Sequence, residues 1–194
     1  MGFEIVVVGT STGGLKAMQT LLSSLPEDFP LAVVIVQHRE AKAEVGLCEY
    51  LNRHSNLIVS EPEDKEEILP GRVYLAPSDY HLLIEKRAFA LSTDPPVSFA
   101  RPSIDVLFES AADEYGKAVI GVILTGVKHD GARGLARIKS RGGFVLIEDP
   151  KTATCREMPQ AAMDHTPVDR VLPLEEIAPL LQELTVSRAV SYGV

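Results

Sequence analysis

Three residues in this chain, each just past the end of an apolar run, have the types that nucleophilic acyl transfer needs. Ser11 stands in Gly9-Thr10-Ser11-Thr12-Gly13-Gly14, three residues after the β-branched run Ile5–Val8. Gly-x-Ser-x-Gly spacing suits a sharp strand-to-helix turn that presents a serine oxygen, because glycine tolerates backbone conformations closed to other residues. His38 follows Val36 by two residues, and Asp130 follows Leu124 by six. A nucleophilic serine needs a base to take its proton and a group to orient that base. Histidine and a carboxylate fill those two roles.

Each residue also has a plainer use. Ser11 could cap the helix that follows it, or help to hold a phosphate at that helix N-terminus. His38 could be a hydrogen-bonded histidine at a strand end. Asp130, just before Gly131, could cap a helix through Ala132, Leu135 and Ala136. Their joint position favours the chemical reading. His129 could line the same crevice, whereas His54, His81 and His165 have weaker placement. The order Ser, His, Asp differs from the Ser, Asp/Glu, His order of α/β-hydrolases. The glycines do not match GxGxxG, and Gln37-His38 stands where a ribose-binding acid would close the next strand.

The elements that would position these side chains follow from hydrophobic patterning. Ile5–Val8, Leu31–Val36, Ala118–Leu124 and Phe144–Ile147 are apolar runs without alternation, as in parallel strands covered on both faces. Helical spacing links Leu15, Met18, Leu21, Leu22 and Leu25, and again Ile104, Leu107, Phe108, Ala111, Ala112 and Tyr115. Ser103 is well placed to cap the second of these helices. A last helix runs through Leu174, Ile177, Leu181 and Leu184, after Pro173. Alternating strand and helix predict an α/β fold, a doubly wound, mainly parallel sheet flanked by helices. Arg72–Ala76, His81–Ile84 and Ala88–Ser92 read as short strands, the last two joined at Glu85-Lys86-Arg87 into an inserted β-hairpin. In such a sheet ligands bind at the carboxyl ends of the strands, where Ser11, His38 and Asp130 would all emerge. Residues 1–185 are expected to form one domain, and residues 186–194 a mobile tail without pattern.

Composition narrows the classes of function. A chain of 194 residues with 45% apolar residues suits one globular domain. Cys48 and Cys155 form no metal-ligand spacing and fit a reducing cytoplasm. No apolar run approaches the roughly 20 residues that span a bilayer, so membrane insertion is not expected. A net charge of −8 argues against nucleic acid and anionic lipid as partners. Lys128, Arg133, Arg137, Lys139 and Arg141 form a basic segment whose plainer reading is a solvated helix face. No cofactor or metal is expected.

At the level of motifs the chain resembles the catalytic domain of the chemotaxis-receptor protein-glutamate methylesterases, the CheB type. The resemblance rests on Val8–Gly14, Gln37-His38, Leu69–Pro77, Arg101–Phe108, Gly121–Gly126 with Asp130-Gly131, and Met158–Ala162, in the family's order across nearly the whole chain. It implies a triad with Ser11 as nucleophile, His38 as general base and acid, and Asp130 as orienting carboxylate. It implies a cytoplasmic enzyme that hydrolyses glutamate γ-methyl esters on a receptor's cytoplasmic helices to glutamate and methanol, some members also deamidating glutamine. Backbone N–H groups near Thr12 and Val127 are the expected oxyanion donors, with Gly13 and His129 in the substrate's vicinity.

Three departures from the family pattern stand out. Arg39–Glu44 replaces the Met-Pro and aromatic that usually follow Gln-His, on a loop expected to border the substrate. Val127-Lys128-His129 replaces Met-Gly-x before the aspartate, which exchanges a glycine for a charged residue. The first strand begins within five residues of Met1, so a stand-alone or excised, constitutively open domain is expected rather than one behind a phospho-receiver domain. The competing functions are a non-catalytic module of the same fold that binds receptor or signalling partners, and a phosphate- or nucleotide-binding protein that uses the Ser11–Gly14 turn.

Overall fold

In the computed structural model, which describes residues 2–38 and 46–186, β1 (Ile5–Thr10) lies at the centre of a seven-stranded parallel sheet. Its neighbours are β2 (Ala32–Gln37) on one side and β7 (Val119–Ile123) on the other, both parallel. Beyond β2 come β4 (Arg72–Leu75) and β3 (Ile58–Ser60); beyond β7 come β8 (Phe144–Glu148) and β9 (Arg170–Leu172). The chain thus winds outward from β1 first in one direction and then in the other. The reversal puts a topological switch point at the carboxyl end of β1.

The β-branched runs form central strands because both faces are covered. Ile5, Val7, Val34 and Val36 face a layer built from α3 (Ile104–Tyr115), α4 (Ala132–Ser140) and α5 (Glu157–His165). Val6, Val8, Val33 and Ile35 face α1 (Gly14–Ser24), α2 (Leu47–Asn52) and α6 (Leu174–Val186). Every residue of Ile5–Val8 is wholly buried, and each such side chain contributes about 1.5–3 kcal/mol relative to exposure. The predicted hairpin is β5 (His81–Glu85) paired antiparallel with β6 (Ala88–Ser92), and its turn residues Lys86 and Arg87 both take positive φ. It packs against α3 through Leu82, Ile84 and Phe89.

Some expectations need adjustment. The short strand expected at Arg72–Ala76 is β4, which ends at Leu75 and pairs parallel with β2 in the main sheet. Leu15 sits on α1 but is exposed rather than part of its core face. The expected tail beyond residue 186 and the loop 39–45 lie outside the described residues.

Candidate active site

Parallel pairing brings the three strand ends to one edge. The register that matches Thr10 to Gln37 carries Ser11 and His38 out of the sheet side by side, and the His38 N–H donates to the Thr10 carbonyl at 3.0 Å. Ser11 is held from the other side, where its N–H donates to the Thr125 carbonyl at 3.0 Å. The tight bend after Ser11 comes from Gly13, at φ 84°, and the Gly14 N–H closes the turn onto the Ser11 carbonyl at 2.9 Å. Ser11 itself does not take a positive φ, so the strain of a strict nucleophile elbow lies at a glycine, where it costs little. Thr125 anchors the turn further: its hydroxyl donates to the Thr12 carbonyl at 2.9 Å and accepts from the Cys155 N–H at 2.8 Å.

Gln37 ties the two strand ends together. Its Nε2 donates to the Ser11 carbonyl at 2.9 Å and to the His38 carbonyl at 3.1 Å, which fixes the orientation of the amide. The Gln37 Oε1 is buried and has no hydrogen-bond partner among the described residues. It lies over Gly14, where a Cβ would collide with it.

His38 and Asp130 meet through a 2.7 Å contact between Nε2 and Oδ2, with Asp130 almost wholly buried and His38 15% exposed. An ionised carboxylate only accepts, so Nε2 carries the proton and Nδ1 is left as the acceptor of the neutral ring. Asp130 is itself held by three donors at the start of α3: the Ser103 hydroxyl (2.9 Å), the Ile104 N–H (2.7 Å) and the Asp105 N–H (3.1 Å). Burial pushes its pKa up, but the His38 bond and the two backbone N–H groups outweigh burial and hold it below the usual carboxylate range. Charge at this point is also favoured by the helix N-terminus.

The caps are not where local sequence put them. Ser103 occupies the N-cap position of α3, yet its side chain makes no capping bond and serves Asp130 instead. Asp130 does not cap α4, whose N-cap is Gly131; it caps α3. Asp105, inside α3, caps α4 in return, with Oδ1 accepting from the Gly131 N–H at 2.9 Å and the Gly134 N–H at 2.8 Å. Burial raises the Asp105 pKa against those bonds. Sequence reasoning missed the roles of Ser103, Asp105, Gln37 and Thr125. Their presence in the motifs Gln37-His38, Arg101–Phe108 and Gly121–Gly126 was the available signal.

Ser11 and His38 open into a crevice of about 430 Å³ walled by Asp79, Phe99, Arg101, Val127 and Lys128 among others. A second, shallower hollow runs from Ser11 and His38 along Thr12, Gly13, Leu15 and Lys16. Val127 lines the first hollow together with Ser11, and Thr12 and Gly13 line the second with Ser11. His129 is exposed and lines neither hollow. Glu148, buried at the end of β8, accepts from the Thr125 N–H at 2.7 Å, and burial raises its pKa against that bond. Among the described residues no cluster of His, Cys, Asp or Glu is arranged to hold a metal ion.

Known proteins share this arrangement of chain. The family model described as CheB methylesterase matches residues 6–181. A Leptospira interrogans relative is 48% identical over 95% of this chain and 96% of its own length. Protein-glutamate methylesterase/protein-glutamine glutaminase 2 of Anaeromyxobacter dehalogenans is 43% identical over 94% of this chain, which spans 53% of that protein. The crystal structure of the Thermotoga maritima CheB methylesterase catalytic domain superposes with a TM-score of 0.91 at 37% identity, covering 95% of this chain and all of that one.

Proposed function

The chain belongs to the CheB methylesterase family, and from that premise we propose that it is a serine esterase that hydrolyses glutamate γ-methyl esters on the cytoplasmic part of a chemoreceptor-like protein. The observation that carries the reading is the buried, low-pKa Asp130 bound to His38 Nε2, on a ring that shares a crevice with Ser11. In this account Ser11 Oγ attacks the ester carbonyl while His38 Nδ1 takes its proton. Asp130 stabilises the imidazolium that results. Collapse of the tetrahedral intermediate expels the methoxy group, which takes the proton from His38 and leaves as methanol. Water, activated by the same nitrogen, then releases glutamate and restores Ser11.

The Thr12 and Val127 N–H groups have no acceptor among the described residues, which suits them to the developing oxyanion; each such donor is worth about 10²-fold or more in rate. The same steps on a side-chain amide would release ammonia, in keeping with the glutaminase activity in the names of several relatives. Those names favour an enzyme over a binding module of the same fold. No helix among the described residues is long and apolar enough to cross a membrane, and the proposed site of action is the cytoplasm. Incubation with methylated receptor membranes tests the reading: catalytic release of methanol is expected, and receptor binding without any release would overturn it.

A further inference from the structure

Among the described residues the rim of the Ser11 crevice carries one ammonium, that of Lys128, without a carboxylate paired to it, although the Glu157 carboxylate accepts from the Lys128 backbone N–H at 3.2 Å. Four cations of the basic segment are held in ion pairs within the fold: Arg133 with Glu109 at 2.6 Å, Arg137 and Arg141 sharing Asp113 at 2.6 and 2.8 Å, and Lys139 with Asp169 at 2.5 Å. Within the crevice wall Arg101 is paired with Asp79. The Lys128 ammonium has no carboxylate partner among the described residues. It lies 5.6 Å from the centre of the Phe99 ring, a favourable cation–π placement.

The backbone around this charge is strained. Lys128 has φ 67°, at a position where the family pattern leads one to expect glycine, and Ser98 and Phe99 have φ 51° and 64°. Left-handed conformations are unfavourable for residues with a Cβ, and non-glycine cases collect where side chains act on ligands. Phe99 is also 91% exposed, the most exposed large apolar residue among those described, so the fold gains almost nothing from its ring. A cation and an aromatic ring are thus both presented at the crevice mouth, on unfavourable backbone, in a molecule whose net charge is −8.

We propose that Lys128, seated on Phe99, is a specificity-determining residue that selects a polypeptide segment carrying a carboxylate side chain beside the esterified glutamate, with Phe99 meeting an apolar side chain of the same segment. The inference rests on the esterase reading of the Ser11 crevice. A volume of about 430 Å³ falls within the range of roughly 300–1,000 Å³ for ligand pockets, so there is room for more than the ester alone. An attractive charge contact on a solvated rim is worth on the order of a fivefold difference in affinity and is screened by salt.

Two synthetic peptides test it, each with one central glutamate γ-methyl ester, one flanked by glutamates and the other by glutamines. The wild-type kcat/KM should favour the acidic peptide by on the order of fivefold at low salt, with the difference carried by KM. Lys128→Gln and Lys128→Gly should both bring the ratio close to one. Lys128→Gly also relieves the backbone, so a higher midpoint of urea unfolding together with a lost preference would separate recognition from folding. A wild-type ratio near one, or variants that keep the preference, would overturn the proposal. Binding of both peptides to Ser11→Ala keeps the two readings distinguishable. If neither peptide is cleaved, the esterase reading fails for them, while Lys128-dependent tighter binding of the acidic peptide still supports the rim assignment and equal binding rejects it.

Discussion

At the scale of single residues, the site turns on how Asp130 stays ionised while buried. Desolvation alone would neutralise it; the His38 ring and two N–H groups of α3 reverse that balance. Asp130→Asn would keep the shape but could accept at only one atom, and its NH₂ would face a donor or force the wrong tautomer on His38. Its kcat should fall by on the order of 10⁴-fold, a loss that single-turnover methanol release would read; a loss below tenfold would remove Asp130 from the mechanism. The lowered pKa also sets the sign of a stability effect. A carboxylate that is more acidic when folded contributes stability fully above its unfolded pKa of about 3.9, and loses it as pH falls through the folded value. The stability advantage of wild type over Asp130→Asn, measured by urea unfolding, should therefore be largest above about pH 5 and shrink as the solution is made more acidic.

At the scale of elements, α3 and α4 cap each other with aspartates that lie in each other's segments. Asp105 supplies the acceptor for the Gly131 and Gly134 N–H groups, and so fixes the segment that carries Asp130. Its raised pKa has the opposite consequence: the folded protein holds this proton more tightly than the unfolded chain, so the contribution falls as pH climbs from about 3.9 through the folded value. Asp105→Asn retains an acceptor oxygen and should leave stability at neutral pH within about 0.5 kcal/mol of wild type, whereas Asp105→Ala should cost about 1–2 kcal/mol. Equal losses in urea unfolding of the two variants would show that the cap is not what Asp105 supplies. This exchange also marks the limit of sequence reading. Ile5–Val8 and its neighbours announced central strands because unbroken β-branched runs suit burial on both faces. Ser103 and Asp130, by contrast, each looked like the cap of the helix nearest in sequence. Their actual partners are 25 to 27 residues away, a separation on which local pattern is silent. The three-residue edge strands β3 and β9, with Ile58, Arg170 and Val171 exposed, are too short to show a period. Helix α5 was legible only as the Met158–Ala162 motif, because Pro159 and few apolar residues blur its periodicity.

At the scale of the molecule, the winding of the sheet does the assembling. Two strands diverging from β1 deliver a serine, a histidine and an aspartate to one switch point, although they lie up to 119 positions apart, from Ser11 to Asp130. Charge is arranged to match: the basic segment is tied up in ion pairs between α4 and its neighbours, which leaves Lys128 facing the crevice. Ester hydrolysis at this one edge is proposed to run through Ser11. The most direct measurement is the rate of methanol release from a methylated receptor by wild type and by Ser11→Ala, with the variant's fold checked by its unfolding midpoint. A loss on the order of 10⁴-fold or more with an unchanged midpoint is expected, and a folded Ser11→Ala that releases methanol at the wild-type rate would rule out Ser11 as the nucleophile.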